Sequence, residues 1–296
     1  MELRHLRYFV AVAEELHFRR AAERLHISQP PLSQQIRALE AELGVRLLER
    51  NRRRVELTDA GATFLREARA ILAAIDHAAE LTRRVARGEV GQLSVGFVGS
   101  AMYASAPGIL GAFRAQHPEV ELHLRELPTA AQLEALSDGH IDVGFMRPVH
   151  AAGAPEGLEV EAIQRESVVV ALPAAHRLAR RRRLRLGDLR SEAFVLLSRR
   201  DAPGLHQSLA AAMAEIGGAP VVQDVAEMQT VIGLVAAGVG ISLVPASVGA
   251  LDRPDVTYRP LIGSAATVEL ALAWRDGDRS PVLARFLAVA RAHPSA

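Results

Sequence analysis

Residues 18–37 read FRRAAERLHISQPPLSQQIR, two short amphipathic segments on either side of a turn. Phe18, Ala21, Ala22 and Leu25 recur at i, i+3, i+4 and i+7, which draws one apolar stripe along a first helix. His26 and Ile27 form the turn. Ser28 is placed to cap a second helix that starts near Gln29, and Pro30 and Pro31 occupy first-turn positions where a missing N–H costs nothing. Leu32, Ile36, Leu39 and Leu43 then face inward, leaving Gln29, Pro30, Ser33, Gln34 and Arg37 outward. Such amide and guanidinium groups match the donors and acceptors of base edges in the major groove. Leu6, Phe9, Val10 and Ala13 repeat the spacing upstream and supply a third helix. The layout predicts a helix-turn-helix that reads double-stranded DNA. A plain helical bundle would need neither the Ser-Gln-Pro-Pro start nor the basic hairpin that follows.

That hairpin is VRLLERNRRRVEL, residues 45–57, in which two apolar runs flank Arg50, Asn51, Arg52, Arg53 and Arg54. Arginine suits phosphate oxygens and narrow minor grooves, and here it is concentrated beside the recognition helix, as in a winged helix-turn-helix. The candidate DNA contacts are therefore Phe18, Arg19, Arg20, Ser28, Gln29, Pro30, Pro31, Ser33, Gln34, Arg37, Arg50, Arg52, Arg53 and Arg54. Residues 1–58 form this domain.

Thr58 is a plausible N-cap and Gly88 a stop for one long, alanine-rich helix, the linker over 59–87. Along it Phe64, Ala68, Ile71, Ile75, Ala78, Thr82 and Val85 alternate by four and three, the spacing of a coiled-coil seam. The expected partner is the same helix of a second copy. Packing on the chain's own C-terminal domain is the alternative. Gly88 to Gly91 would be a hinge.

From Gln92 the pattern changes to short apolar strands alternating with helices. Strands are expected at 92–98, 120–126, 141–146, 167–172, 193–197, 221–225, 241–244 and 268–274. Helices are expected at 106–116, 130–137, 204–216, 228–237 and 281–292. This predicts an α/β domain of two lobes with a largely parallel sheet. Ligands of such sheets bind beyond the carboxyl ends of strands, where helix N-termini present free N–H groups. Three strand ends carry useful groups, Ser100, Thr129 and Arg147, a set suited to a carboxylate. Ser100 and Thr129 could equally be plain helix caps, and Arg147 a surface ion-pair partner.

The opening MELRHLRYFVAVAEELHFRRAAERLHISQPPLSQQIRALEAELGVRLLERNRRRVELTDAG resembles the DNA-binding domain of LysR-type transcriptional regulators. GFVGS, DVGFMRP and GVGISLVP extend the likeness over the rest of the chain. Within that family it is most similar to regulators of chlorocatechol, muconate and benzoate degradation. The resemblance implies an α/β chain overall: an N-terminal all-α winged helix-turn-helix, a linker helix, and a two-lobed, periplasmic-binding-protein-like effector domain over 92–296. Lobe I would take 92–161 and 267–296, and lobe II 162–266. It adds Pro203, Glu227 and Met228 to Ser100, Thr129 and Arg147 as effector contacts, and Phe64, Ala68, Ile71, Ile75, Ala78 and Val85 as dimerisation residues. It also implies a small carboxylate effector, a dimer of dimers acting as an activator in the cytoplasm, and RNA polymerase as a candidate partner. Arg19 stands where a small residue is common and Gln34 where an arginine is common, so the preferred operator is expected to differ.

Composition agrees. A 296-residue chain that is 49% hydrophobic can build a substantial core in two or three domains. Its net charge of +1 requires any nucleic-acid footprint to be local. It has no cysteine, so no disulfide framework or thiolate metal site, and no apolar run long enough for a membrane span. Its eleven histidines lack ligand spacing, and no nucleophile elbow, zinc-helix or nucleotide-loop motif occurs, so neither metal nor cofactor nor catalysis is expected. Gly238-Val239-Gly240 reads as a helix-to-strand turn, and Arg177, Arg180 to Arg183 and Arg185 as a solvated loop, with contact to DNA or a neighbouring subunit as the alternative. The rival readings are an effector-insensitive repressor and a solute-binding module, the second of which leaves the first 87 residues without a purpose.

Overall fold

The computed structural model describes residues 1–50, 54–148, 155–200, 202–217, 219–263 and 266–293. Two compact units divide between Arg84 and Val85.

The first unit packs α1 (Leu3–Glu15), α2 (Phe18–Arg24) and α3 (Gln29–Leu43) around Phe9, Leu32, Ile36, Leu39 and Leu47. An antiparallel hairpin of β1 (Leu48–Arg50) and β2 (Val55–Leu57) follows, then the long α4 (Asp59–Ala86). Thr58 caps α4 as expected, its Oγ1 accepting from the Gly61 N–H at 2.9 Å and donating to the Arg46 carbonyl at 2.8 Å. Ser28 occupies the N-cap position of α3, but its side chain caps nothing. The N–H groups a cap would satisfy belong to the second and third positions after it, and these are Pro30 and Pro31.

The apolar row along α4 begins within the core of its own unit. Phe64 packs edge-on against Phe9 at 5.1 Å and Ala68 is fully buried, so both belong to the core of their own unit. Arg69 reinforces this by pairing with Glu14 of α1 at 2.7 Å. Hydrogen bonds from Arg69 and then Arg24 hold the Glu14 carboxyl below the usual carboxylate range. Only beyond that point does the apolar row reach solvent, with Ile71 43% and Val85 50% exposed.

The second unit is built on β3 (Gly91–Phe97), β4 (Val120–Glu126), β5 (Val143–Met146), β6 (Leu158–Pro173), β7 (Phe194–Leu197), β8 (Val221–Val225), β9 (Ser242–Pro245), β10 (Val256–Pro260) and β11 (Thr267–Arg275). The main sheet runs β10-β6-β11-β5-β3-β4, with β9 also on β6. The expected largely parallel sheet is mixed: β3 pairs in parallel with β4 and β5, whereas β11 is antiparallel to both β5 and β6. The expected strand at 167–172 is the far end of the sixteen-residue β6, whose near half pairs with β11 and whose far half pairs with β9 and β10. One continuous strand therefore crosses both lobes, and an irregularity between Leu270 and Ala271 bends the ladder beside Ile163.

In lobe I, α5 (Ala106–Gln116), α6 (Thr129–Ser137) and α9 (Pro281–Ala292) cover this sheet, with Phe113, Phe145 and Phe286 at the centre. In lobe II, α7 (Pro203–Glu215) and α8 (Met228–Ala236) pack on the parallel pair β7-β8, which joins the main sheet where Phe194 bridges Ile241. At the start of the expected hinge, Arg285 Nε donates to the Arg87 carbonyl at 2.6 Å, and a Cβ at Gly88 would lie 2.6 Å from the Pro281 backbone. The arginines near 180 are partly engaged rather than simply solvated, Arg177 pairing with Glu192 and Arg181 with Asp188, over buried Leu178 and Leu184.

His117 ends α5, 4.8 Å from the Phe113 ring. Burial first, then Arg285, holds its imidazole below the ordinary 6.5, with Glu89 pulling the other way. The unfolded chain thus binds this proton more readily. The group's contribution to stability is complete above the ordinary value and is lost as pH falls through it toward the folded value. His117→Asn should flatten the fall in melting temperature between about pH 7 and 5. An unchanged slope in the variant would remove His117 from the acid sensitivity.

Candidate functional site

Two surfaces carry the chemistry anticipated from sequence. On α3 the buried leucines and Ile36 turn Gln29, Pro30, Pro31, Gln34 and Arg37 outward, with Ser33 half-buried between them. Pro30, Pro31, Gln34 and Arg37 line one shallow depression. The turn before α3 is tight enough that His26 takes φ 55°, a conformation uncommon for a residue with a side chain.

Several of the expected DNA contacts also make contacts within the fold. Phe18 is buried in the core of the unit, with the Arg50 guanidinium 4.9 Å above its ring. Arg50 also pairs with Glu40 at 2.6 Å, and the other oxygen of Glu40 accepts from the N–H groups of Leu47 and Leu48 at 3.0 and 3.1 Å. Glu40 is thereby a bracket between the recognition helix and the first strand of the wing. Arg19 and Arg20 are exposed and pair with Glu23 and Glu15, and Arg54 pairs with Glu56. Arg52 and Arg53 lie outside the described residues.

The second surface is a cleft of about 400 Å³ between the lobes. The end of β3 and the 3-10 turn Gly99–Tyr103 bring Ser100, the start of α6 brings Thr129, and the end of β5 brings Arg147. Lobe II contributes Leu205 from α7, and Glu227 and Met228 from the start of α8. Pro203 lies outside this cleft. It lines a neighbouring cavity of about 420 Å³ within lobe II, which shares Leu197, Leu205 and Met228 with the first. The lobes meet at backbone level beside the cleft, where a Cβ on Gly204 would come within 2.2 Å of the Arg147 carbonyl oxygen.

Arg147 is the centre of the arrangement. Its Nε donates to Ser100 Oγ at 2.9 Å and its Nη2 to Glu166 Oε1 at 3.0 Å, while Glu166 Oε2 accepts from the Ser247 N–H at 2.7 Å. Both side chains of the ion pair are 7% exposed. Burial pulls the guanidinium pKa down and Glu166 pulls it up. The cation is thus largely neutralised by a partner from the strand that crosses the lobes, and is no simple surface ion pair. Nη1 is buried and has no hydrogen-bond partner among the described residues. Ser100 accepts from Arg147 and keeps its own proton to donate. Thr129 is the first helical residue of α6, Pro128 being the N-cap, and its buried side chain lines the cleft. The segment before Arg147 is held by Gln132, fully buried, whose Nε2 donates to the carbonyls of Leu127 and Phe145.

Sequence reading missed Glu166, Gln132 and Gly204. Glu166 left a trace, an acid directly before the SVVVALP run, where a buried charge demands a partner. Gln132 left none.

A winged helix-turn-helix joined to a two-lobed α/β unit with an inter-lobe cleft defines the class of one-component transcription regulators. Residues 3–62 match the model of the bacterial regulatory helix-turn-helix protein, lysR family, and residues 86–295 that of the LysR substrate binding domain. The chain belongs to the LysR family of DNA-binding transcription regulators, and its relatives are regulators rather than enzymes. It is similar to the transcriptional regulator AlsR of Bacillus subtilis (strain 168), 43% identical over 290 residues, covering 97% of this chain and 94% of that one. It is 39% identical over 290 residues to the Hca operon transcriptional activator HcaR of Escherichia coli (strain K12), covering 98% and 97% of the two chains. The crystal structure of CbnR, a LysR family transcriptional regulator, superposes with a TM-score of 0.88 at 36% identity, covering 98% of this chain and 100% of that one. CbnR complexed with its target DNA gives 0.86 at 36% identity, covering 99% of each chain.

Proposed function

We propose that this regulator is an activator that responds to a small carboxylate, an intermediate of aromatic breakdown, bound in the inter-lobe cleft. The observation that carries the reading is Arg147 Nη1, a buried donor with no partner among the described residues, on a residue that lines the cleft with Ser100 and Thr129. A carboxylate satisfies such a donor directly, and the starts of α6 and α8 add N–H groups. Binding changes the preferred lobe geometry, and that preference is passed to DNA through differential affinity for two arrangements of the oligomer. The name of the similar HcaR, an operon activator, supports the sign of regulation. The exposed apolar stretch of α4 from Ile71 to Val85 supports pairing with a second copy, and family resemblance supports a dimer of dimers acting in the cytoplasm with RNA polymerase.

Calorimetry on the full-length protein with benzoate and cis,cis-muconate, followed by footprinting with and without the binder, tests this. Heat of binding with at least one of them and a changed footprint are expected. No heat with any small carboxylate would sink the effector reading, and heat with an unchanged footprint would favour an effector-insensitive repressor.

On the DNA side, the exposed face of α3 supports base reading by Gln29 and Gln34. Gln29→Ala is expected to cost about 1–3 kcal/mol of discrimination at one base position while leaving the salt slope unchanged. Removing an arginine that contacts phosphate should instead weaken every sequence alike and lower that slope by about 1. A selection experiment on randomised half-sites that returns the same consensus for Gln29→Ala would displace this assignment.

A further inference from the structure

The charges that line the cleft are unequal in sign. Arg147 is its one lining cation among the described residues, and Glu166 already holds it. Glu126, at the end of β4, and Glu227, which precedes α8, also line the cleft. Both are exposed, one from each lobe, and neither makes an ion pair or side-chain hydrogen bond among the described residues. Glu126 is laid against the turn after β3, where Gly99 leaves the room: a Cβ there would sit 2.4 Å from Glu126 Oε1. Arg199, the nearest further cation in sequence on lobe II, lines the neighbouring cavity and not this one. Counting Glu166, the site sets one positive charge against three negative ones.

One carboxylate can still be held, because Arg147 Nη1 is buried and unpartnered among the described residues, Ser100 has a proton to give, and helix N-termini add partial positive charge. A second carboxylate has no comparable receptor. Wherever the far end of a dianion reaches the rest of the lining, the charged groups it meets are acids, in a partly enclosed space where charge repulsion is less screened than in water. Hydroxyl or ammonium groups on the far end find two acceptors with free lone pairs.

We infer that the effector is a monocarboxylate whose opposite end carries hydrogen-bond donors, hydroxyl or ammonium, directed to Glu126 and Glu227, and that the cleft discriminates against dicarboxylates. This rests on the proposed carboxylate site at Arg147 and narrows the aromatic-breakdown candidates to hydroxylated or aminated monoanions.

The test is calorimetry on the full-length protein with ring-matched probes: 3,4-dihydroxybenzoate, 4-(aminomethyl)benzoate, benzoate and terephthalate, with cis,cis-muconate as an open-chain dianion. Wild type should bind the dihydroxy and aminomethyl compounds at least tenfold more tightly than either dianion, and the E126Q/E227Q variant should reduce that ratio several-fold, most for the ammonium compound. Which donor probe binds better tells hydroxyl from ammonium. Equal or tighter binding of the dianions by wild type overturns the inference while leaving the carboxylate site intact, and so does a ratio unchanged in E126Q/E227Q. Absence of binding by all five probes overturns the carboxylate site and the inference together.

Discussion

Arg147→Ala is expected to destabilise the ligand-binding unit by about 3–5 kcal/mol, because it removes one half of a buried ion pair. Glu166 would remain under the protein surface with only the Ser247 N–H as partner, and Ser100 would lose its donor. Glu166→Gln should cost less, since a neutral amide tolerates burial and its oxygen can still accept from Ser247. Arg147→Met combined with Glu166→Leu should fall well short of the sum of the single losses, as no charge is then stranded. Denaturant unfolding of the three variants measures this directly. If Arg147→Ala unfolds with the wild-type midpoint, the pair contributes nothing and Arg147 is free for ligand alone. The expected loss also governs how effector responses are read: silence in Arg147→Ala reports a damaged domain as readily as a missing contact. Glu126 and Glu227 report on the ligand more cleanly because they are exposed and hold up no buried partner.

Gly61→Ala should be the most damaging single-methyl change in the DNA-binding unit. An added Cβ would lie 1.9 Å from the Leu47 carbonyl oxygen and 2.9 Å from its carbon, so backbone and not a flexible side chain would have to yield. That same oxygen accepts from the Thr58 N–H at 3.1 Å, and the Leu47 N–H is held by Glu40 of α3. The displaced strand is therefore the one that seats the wing against the recognition helix. Overpacking of this kind costs about 1–3 kcal/mol, and more where backbone must move. Both a lower melting temperature and a loss of operator affinity are expected by fluorescence anisotropy. A stable Gly61→Ala protein with unchanged affinity would show that the wing tolerates displacement from α4.

Local periodicity made much of the fold legible. The spans 106–116 and 281–292 are read from sequence to the residue, as is the strand 120–126. Each depends on contacts a few positions apart, which a helical or alternating pattern records. The start of α3 at Gln29 is as expected, although the prolines that mark it also deprive Ser28 of anything to cap. The first two positions of the row along α4 show a related point: a stripe of apolar residues states that a face is buried, not which neighbour buries it. Phe64 and Ala68 are covered by their own domain, and the same spacing further along reaches solvent.

The cleft shows the division most clearly. Strand-end positions and side-chain chemistry placed Ser100, Thr129 and Arg147 at one site from sequence, because the carboxyl ends of neighbouring strands converge in any sheet of this kind. What Arg147 is chemically was decided by tertiary structure. Glu166 lies nineteen positions away on a strand whose length was not foreseen, Gly204 arrives from the other lobe, and Glu126 and Glu227 face the same space from opposite sides. The sequence by itself determined most of the elements, the outward face of α3 and the groups at the strand ends, since these follow from nearest-neighbour sterics and periodic burial. The partner that neutralises Arg147, and the excess of negative charge it leaves, were decided only by folding, since a side chain's charge environment depends on distances that no spacing along the chain encodes.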